Sequence, residues 1–188
     1  MNIRDIANVC IRNNLLLWAG AGYGKGVGCL RYLFPKLKSE FGHNGEVWIT
    51  APSGIASGLI SGSTTHSLSG VGTGAGTVDY LKNRILKNKH AEKRWERLRC
   101  LVIDECSLLS LELFSKLEEL ARILKHNDEF FGGIRIILVG DFCQLPPCSD
   151  LTRETSGLVR RESMYLFEDE HLWEKGKFVV SICLNLLA

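Results

Sequence analysis

LLLWAGAGYGKG (residues 15–26) is the stretch on which the fold turns. Leu15 to Trp18 is a short, continuous apolar run, the mark of a strand covered on both faces. It leads directly into AGAGYGKG, residues 19–26. A phosphate-cradling turn follows the pattern G-x-x-x-x-G-K-[ST]. Counted back from Lys25, Ala19 stands at the first glycine position and Gly26 at the last, so the match is partial. Gly20, Gly22 and Gly24 still let the backbone curl so that successive N–H groups face an anion. Lys25 adds a point charge, and the start of the next helix adds its dipole. The expected anion-binding set is Gly20, Ala21, Gly22, Tyr23, Gly24, Lys25 and Gly26. An ordinary tight turn is the competing reading of the turn by itself.

Outward from this turn, similar apolar runs recur. Val47 to Thr50, Leu101 to Asp104, Ile134 to Val139 and Phe178 to Leu184 each read as a buried strand. Leu109 to Leu124 reads as a helix, because Leu113, Phe114, Leu117, Leu120, Ala121 and Leu124 recur at helical spacing. Strands alternating with helices predict a doubly wound α/β domain, and 188 residues predict a single one. SGVGTGAGT (69–77) reads as a glycine-rich loop with no apolar payload. Residues 82–99 hold eight Lys/Arg against two Glu, which suits either a solvated helical face or a phosphate-facing patch. Residues 150–177 carry no clear period.

Composition narrows the class. The net charge of +2 is too small to imply a nucleic-acid partner, so local charge has to be read instead. No run approaches the roughly 18 apolar residues of a membrane helix, and the expectation is no membrane partner. The seven cysteines form no C-x-x-C pair and several sit in apolar runs. Cysteine in such a run behaves as a small buried hydrophobe, and the set reads as reduced thiols inside a cell.

Two further strand ends carry candidate chemistry. Leu101-Val102-Ile103 ends in Asp104-Glu105. In a nucleotide-hydrolysing enzyme the first acid holds Mg²⁺, usually through water, and the second orients or deprotonates the attacking water. IRIILVG ends in Asp141-Phe142-Cys143-Gln144. Gln144 could sense a terminal phosphate from the neighbouring strand.

Together ITAPSGIASGLISGSTTHSLSGVGTG (49–74), LVIDECSLL (101–109), FGGIRIILVGDFCQLPP (131–147) and the glycine-lysine turn resemble successive motifs of the Pif family of DNA helicases. These are superfamily-one motors related to RecD that move 5′ to 3′. The resemblance implies a P-loop NTPase fold, a RecA-like parallel sheet with helices on both faces, filling residues 1–188 as a first motor lobe. ATP and Mg²⁺ are the implied cofactors and single-stranded DNA the implied partner. Lys25, Asp104, Glu105 and Gln144 match the catalytic positions, with Asp104 the magnesium acid and Asp141 beside Gln144. Thr50, Ser53, Gly54, Thr65 and His66 match segments associated with the DNA strand. In the family a second RecA-like lobe, needed for unwinding, would follow the segment matched by SICLNLLA (181–188). Repair, recombination and telomere upkeep, in nucleus or mitochondrion, are further implications of the family.

Departures from the family pattern matter. Ala19 stands for glycine, and Gly26 for the Ser or Thr whose hydroxyl binds Mg²⁺. Pro52 replaces a small polar residue. Gln144 is the only glutamine in the chain, so no adenine-reading glutamine precedes the loop. The alternative reading is a degenerate module that binds nucleotide or DNA without turnover.

Overall fold

The computed structural model describes residues 3–18, 30–144, 147, 151–154, 157–160 and 164–182. The glycine-lysine turn, residues 19–29, lies outside them. So the expectations on Gly20, Ala21, Gly22, Tyr23, Gly24, Lys25 and Gly26 rest on sequence.

Six parallel strands form one sheet in the order β3-β2-β4-β5-β1-β8. They are β1 (Leu15–Trp18), β2 (Val47–Ala51), β3 (Ser63–Thr64), β4 (Cys100–Ile103), β5 (Arg135–Gly140) and β8 (Val179–Ile182). A separate antiparallel pair, β6 (Leu151–Glu154) and β7 (Gly157–Arg160), lies between β5 and β8 in the chain. That pair sits in the stretch where the sequence showed no period.

Alternation within each strand sends side chains to two cores. Leu15, Leu17, Cys100, Val102, Ile137 and Val139 pack on one face with α1 (Ile3–Arg12) and α2 (Leu30–Phe41). Leu16, Leu101, Ile103, Ile136 and Leu138 pack on the other. There they meet α5 (Val78–Lys87), α6 (Lys89–Arg97) and α7 (Leu111–Lys125). Burial pushes the Cys100 thiol well above its ordinary value, so it stays protonated and serves packing. The expected α/β sheet with helices on both faces is therefore present.

Asn14 fixes the amino edge of the sheet. Its Oδ1 accepts the Ile136 N–H at 2.9 Å, its Nδ2 donates to Gly176 O at 2.7 Å, and its carbonyl accepts the Val179 N–H at 2.9 Å. One residue thus sets the register of β1 against both β5 and β8.

Three local expectations need correction. The helix begins at Leu111 rather than Leu109, because Ser110 Oγ caps it by accepting the Leu113 N–H at 3.3 Å. The 69–77 loop does carry an apolar payload: Val71 is buried in the helix-side core. The last strand is not buried throughout. β8 is a sheet edge, and Val180 remains 56% exposed. Among the described residues, no helix is long and apolar enough to cross a membrane.

Candidate nucleotide and nucleic-acid site

A parallel sheet brings all its carboxyl ends to one edge. The segments after β1, β4 and β5 therefore converge there, the usual ligand position in open α/β sheets. β5 lies between β1 and β4. Asp141, just past β5, thus sits between the end of β1 at Trp18 and the acids that follow Ile103. At about 4.8 Å per strand, the end of β1 at Trp18 lies about 10 Å from the end of β4.

Asp104 is 4% exposed, and its N–H donates to Thr50 O at 2.8 Å. The Thr50 hydroxyl donates back to Val102 O at 2.9 Å. This pair of bonds locks the end of β4 to β2. Glu105 then leaves the strand direction at once, with φ 50° and ψ 44°. A left-handed backbone at a non-glycine residue costs of order 1–3 kcal/mol and collects at working sites. The 3₁₀ turn Cys106–Leu108 follows.

Gly140 explains how that turn is seated. A Cβ placed there would lie 2.7 Å from Cys106 Sγ and 3.1 Å from Cys106 N. Only a bare Cα lets β5 approach the turn behind Glu105. Gly140→Ala is expected to destabilise the protein by about 1–3 kcal/mol, the usual penalty of overpacking. Urea unfolding measures it, and Cys106→Ala in the same chain should recover part of the loss. An unchanged midpoint in the single variant would show that the turn yields freely.

Asp141, also 4% exposed, accepts hydrogen bonds at both carboxylate oxygens. Its Oδ1 accepts Trp18 Nε1–H at 3.2 Å and Cys143 N–H at 3.0 Å. Its Oδ2 accepts Gln144 Nε2–H at 2.7 Å. Asp141 thereby holds Gln144 in place and ties it to the end of β1. The Trp18 bond was not legible in the sequence, since a Trp ending an apolar run reads only as core. Beside it, Phe142 meets Phe167 edge-on at 5.2 Å, and Phe167 stacks on Tyr165 at 5.0 Å and 18°. This aromatic cluster was also missed. Its members come from segments more than twenty residues apart, one of them read as aperiodic.

The residues matched to the DNA strand divide into two groups. Thr50 and Thr65 are buried, so their side chains support the surface rather than touch a ligand. Gly54 is exposed, and Ser53 is half-buried with its Oγ capping α3 (Gly54–Leu59) through the Ala56 N–H at 3.2 Å. His66 is half-buried at the start of α4 (Thr65–Ser69), against Gly74. α4 follows β3, four strands from β1, or about 19 Å across the sheet. The structure thus brings Asp104, Glu105, Asp141 and Gln144 together and sets His66 apart at the far edge.

Comparison with known proteins agrees with this fold. The family model described as PIF1-like helicase matches residues 4–185. The chain belongs to the PIF1-like helicase family. It is 38% identical over 165 residues to the ATP-dependent DNA helicase PIF1 of Saccharomyces cerevisiae, covering 87% of this chain and 18% of that one. The Saccharomyces cerevisiae ATP-dependent DNA helicase RRM3 is 37% identical, over 87% of this chain and 21% of its own length. A crystal structure of the Pif1 helicase from Candida albicans superposes with a TM-score of 0.84 at 33% identity, over 96% of this chain and 38% of that chain. A Bacteroides Pif1 in complex with ADP-AlF3 and ssDNA gives 0.73 at 25% identity, over 96% of this chain and 41% of that chain. These PIF1-like relatives carry the RecA-like fold of P-loop NTPases. The chain spans about a fifth of the length of the curated relatives it matches.

Proposed function

We propose that this protein supplies the nucleotide-binding lobe of an ATP-dependent 5′-to-3′ DNA helicase, coupling ATP hydrolysis to movement along single-stranded DNA. The observation that carries this reading is the shared carboxyl edge. Asp141-Gln144 follows the strand beside the one that leads into the glycine-lysine turn, and Asp104-Glu105 follows the next strand over. Lys25 would neutralise the outer phosphates and Glu105 would orient the attacking water. Gln144, held by Asp141 at 2.7 Å, would report the terminal phosphate.

The donor set suits magnesium. Among the described residues no group of three or more His, Cys, Asp or Glu is gathered to hold a metal ion. Mg²⁺ asks for less: one or two carboxylates, substrate phosphates and its own waters. Asp104 would hold it through water, and the ion would then neutralise charge on the transferred phosphoryl group. Unwinding would further require a second RecA-like lobe that closes and opens on ATP.

One observation favours a second reading, a module that binds without turnover. Gly26 lacks the hydroxyl that ordinarily ligates the metal. Both readings meet one experiment: ATP turnover of the purified protein with and without single-stranded DNA, beside a strand-displacement assay. DNA-stimulated turnover without displacement is the expected result. No turnover in the presence of measurable nucleotide binding would establish the second reading. Robust displacement would show that one lobe suffices.

A further inference from the structure

The stretch 82–99 resolves into two helices with the charges sorted by face. On α6, Ala91, Trp95 and Leu98 just beyond it are buried. Glu92 and Glu96 occupy one flank, where they line a cleft of mixed charge with Lys82, Arg122 and Asp128. His90, Lys93, Arg94 and Arg97 recur at i, i+3, i+4 and i+7 on the other flank and line a second cleft. Arg94 also lines a third cleft, which continues through Arg84 and Lys87 to Thr64, His66 and Ser67. Neither of these two joined clefts includes an Asp or Glu in its lining. The acid beside the second, Glu46, is turned onto the Asn44 N–H at 2.6 Å.

Two of the arginines are held in place. Arg84 Nε donates to Gly70 O at 3.3 Å, and Arg94 Nε donates to Leu68 O at 3.0 Å. Each guanidinium has five N–H donors, so these bonds fix the head group and leave most of the fork for an anion. Structural clasping and anion binding are compatible here.

We infer that this stripe, from His66 through Arg84, Lys87 and Arg94 to Lys93 and Arg97, is a phosphate-backbone surface for nucleic acid. It extends the strand path past the β3 edge of the sheet and takes paired and unpaired DNA alike. The inference rests on reading the chain as a nucleic-acid motor lobe. Base stacking has no part in it: neither cleft is lined by Phe, Tyr or Trp. With phosphate alone to hold, the surface has no means of telling one strand from two. From His90 to Arg97 the helix rises about 10 Å, close to three nucleotides at about 3.4 Å each. Insertion into a lipid surface is disfavoured, because the apolar side of α6 is occupied by the core.

Lys93 and Arg97 are exposed and make no bond to the fold that the structure records, so they test the surface without disturbing it. The double variant Lys93→Ala/Arg97→Ala should bind a labelled single strand and its duplex more weakly, by similar factors. In fluorescence anisotropy across a salt series, the slope of log affinity against log salt should flatten by about 1–2 units, roughly 0.7–0.9 per lost phosphate contact. A control, Lys36→Ala/Lys38→Ala on α2, changes net charge equally and should keep the original slope. Equal flattening in both variants, or no flattening in the first, overturns the stripe. So does tighter retention of the protein by phosphatidylserine vesicles than by DNA, with the same dependence on Lys93 and Arg97. A native protein that binds no DNA at all would instead sink the nucleic-acid reading on which the stripe depends.

Discussion

Lys25→Ala is expected to remove most nucleotide binding, with or without magnesium, whereas Asp104→Asn should remove only the magnesium-dependent part. The lysine is the glycine-rich turn's sole side-chain cation, and no water can replace its charge on the outer phosphates. Asp104 is different. It is buried at the end of β4, with its backbone N–H fixed on Thr50 O at 2.8 Å. Asparagine keeps the shape and cancels the charge. Losing an outer partner of a metal costs about 10- to 100-fold in affinity. Calorimetric titration with ATP, once with Mg²⁺ and once with the metal chelated, separates the two. Asp104→Asn should match the native protein under chelation and fall behind it with metal present. Equal affinity of Lys25→Ala and the native chain would remove the turn from the site. An Asp104→Asn defect that persists without metal would reassign Asp104 to the fold.

Trp95→Ala should cost about 3–5 kcal/mol of stability, the range for deleting a buried aromatic. Trp95 is among the largest fully buried side chains, and its ring meets Trp48 edge-on at 5.1 Å. Its indole N–H donates to Ser69 O at 2.8 Å, inside the protein. That bond anchors the end of α4 to the helix-side core, and with it the approach to His66. Trp95→Phe would retain most of the ring volume but strand the Ser69 carbonyl, at about 1–3 kcal/mol. Urea unfolding of both variants ranks them. A loss below about 1 kcal/mol in Trp95→Ala would mean the site collapses to fill its cavity, contrary to its dense packing.

The sequence made the central strands legible because they are apolar on both faces. Leu15 to Trp18 matched β1 at both ends. β3 escaped because two residues, Ser63–Thr64, are too few to show a period. β8 was recognised as a strand, but its exposure was not. Val and Ile mark a strand's chemistry and say nothing of whether a neighbour covers it. Val71 was hidden among glycines, since a single apolar residue in a loop makes no pattern. The basic stretch 82–99 could be counted but not sorted. Which flank each charge occupies depends on where α6 starts, and that is set by Asn88, whose Oδ1 accepts the His90 and Ala91 N–H groups. The positions of Asp104, Glu105 and Gln144 just past strand ends were legible. Trp18 and the Phe142–Tyr165–Phe167 cluster were not, because they are contacts between distant segments.

Asn14 ties β1, β5 and the start of β8 at the amino edge of the sheet, while the carboxylates and Gln144 occupy the opposite edge. Foundation and workbench are thus at opposite ends of the same strands. Inherited change can accumulate on one without undermining the other. A lineage that altered residue 52, just past the carboxyl end of β2, would keep its register and go on folding. One that lost Asn14 would forfeit the frame with Asp104, Glu105, Asp141 and Gln144 all intact. The sheet is in that sense a tolerant scaffold for drift in chemistry and an intolerant one for drift at its base.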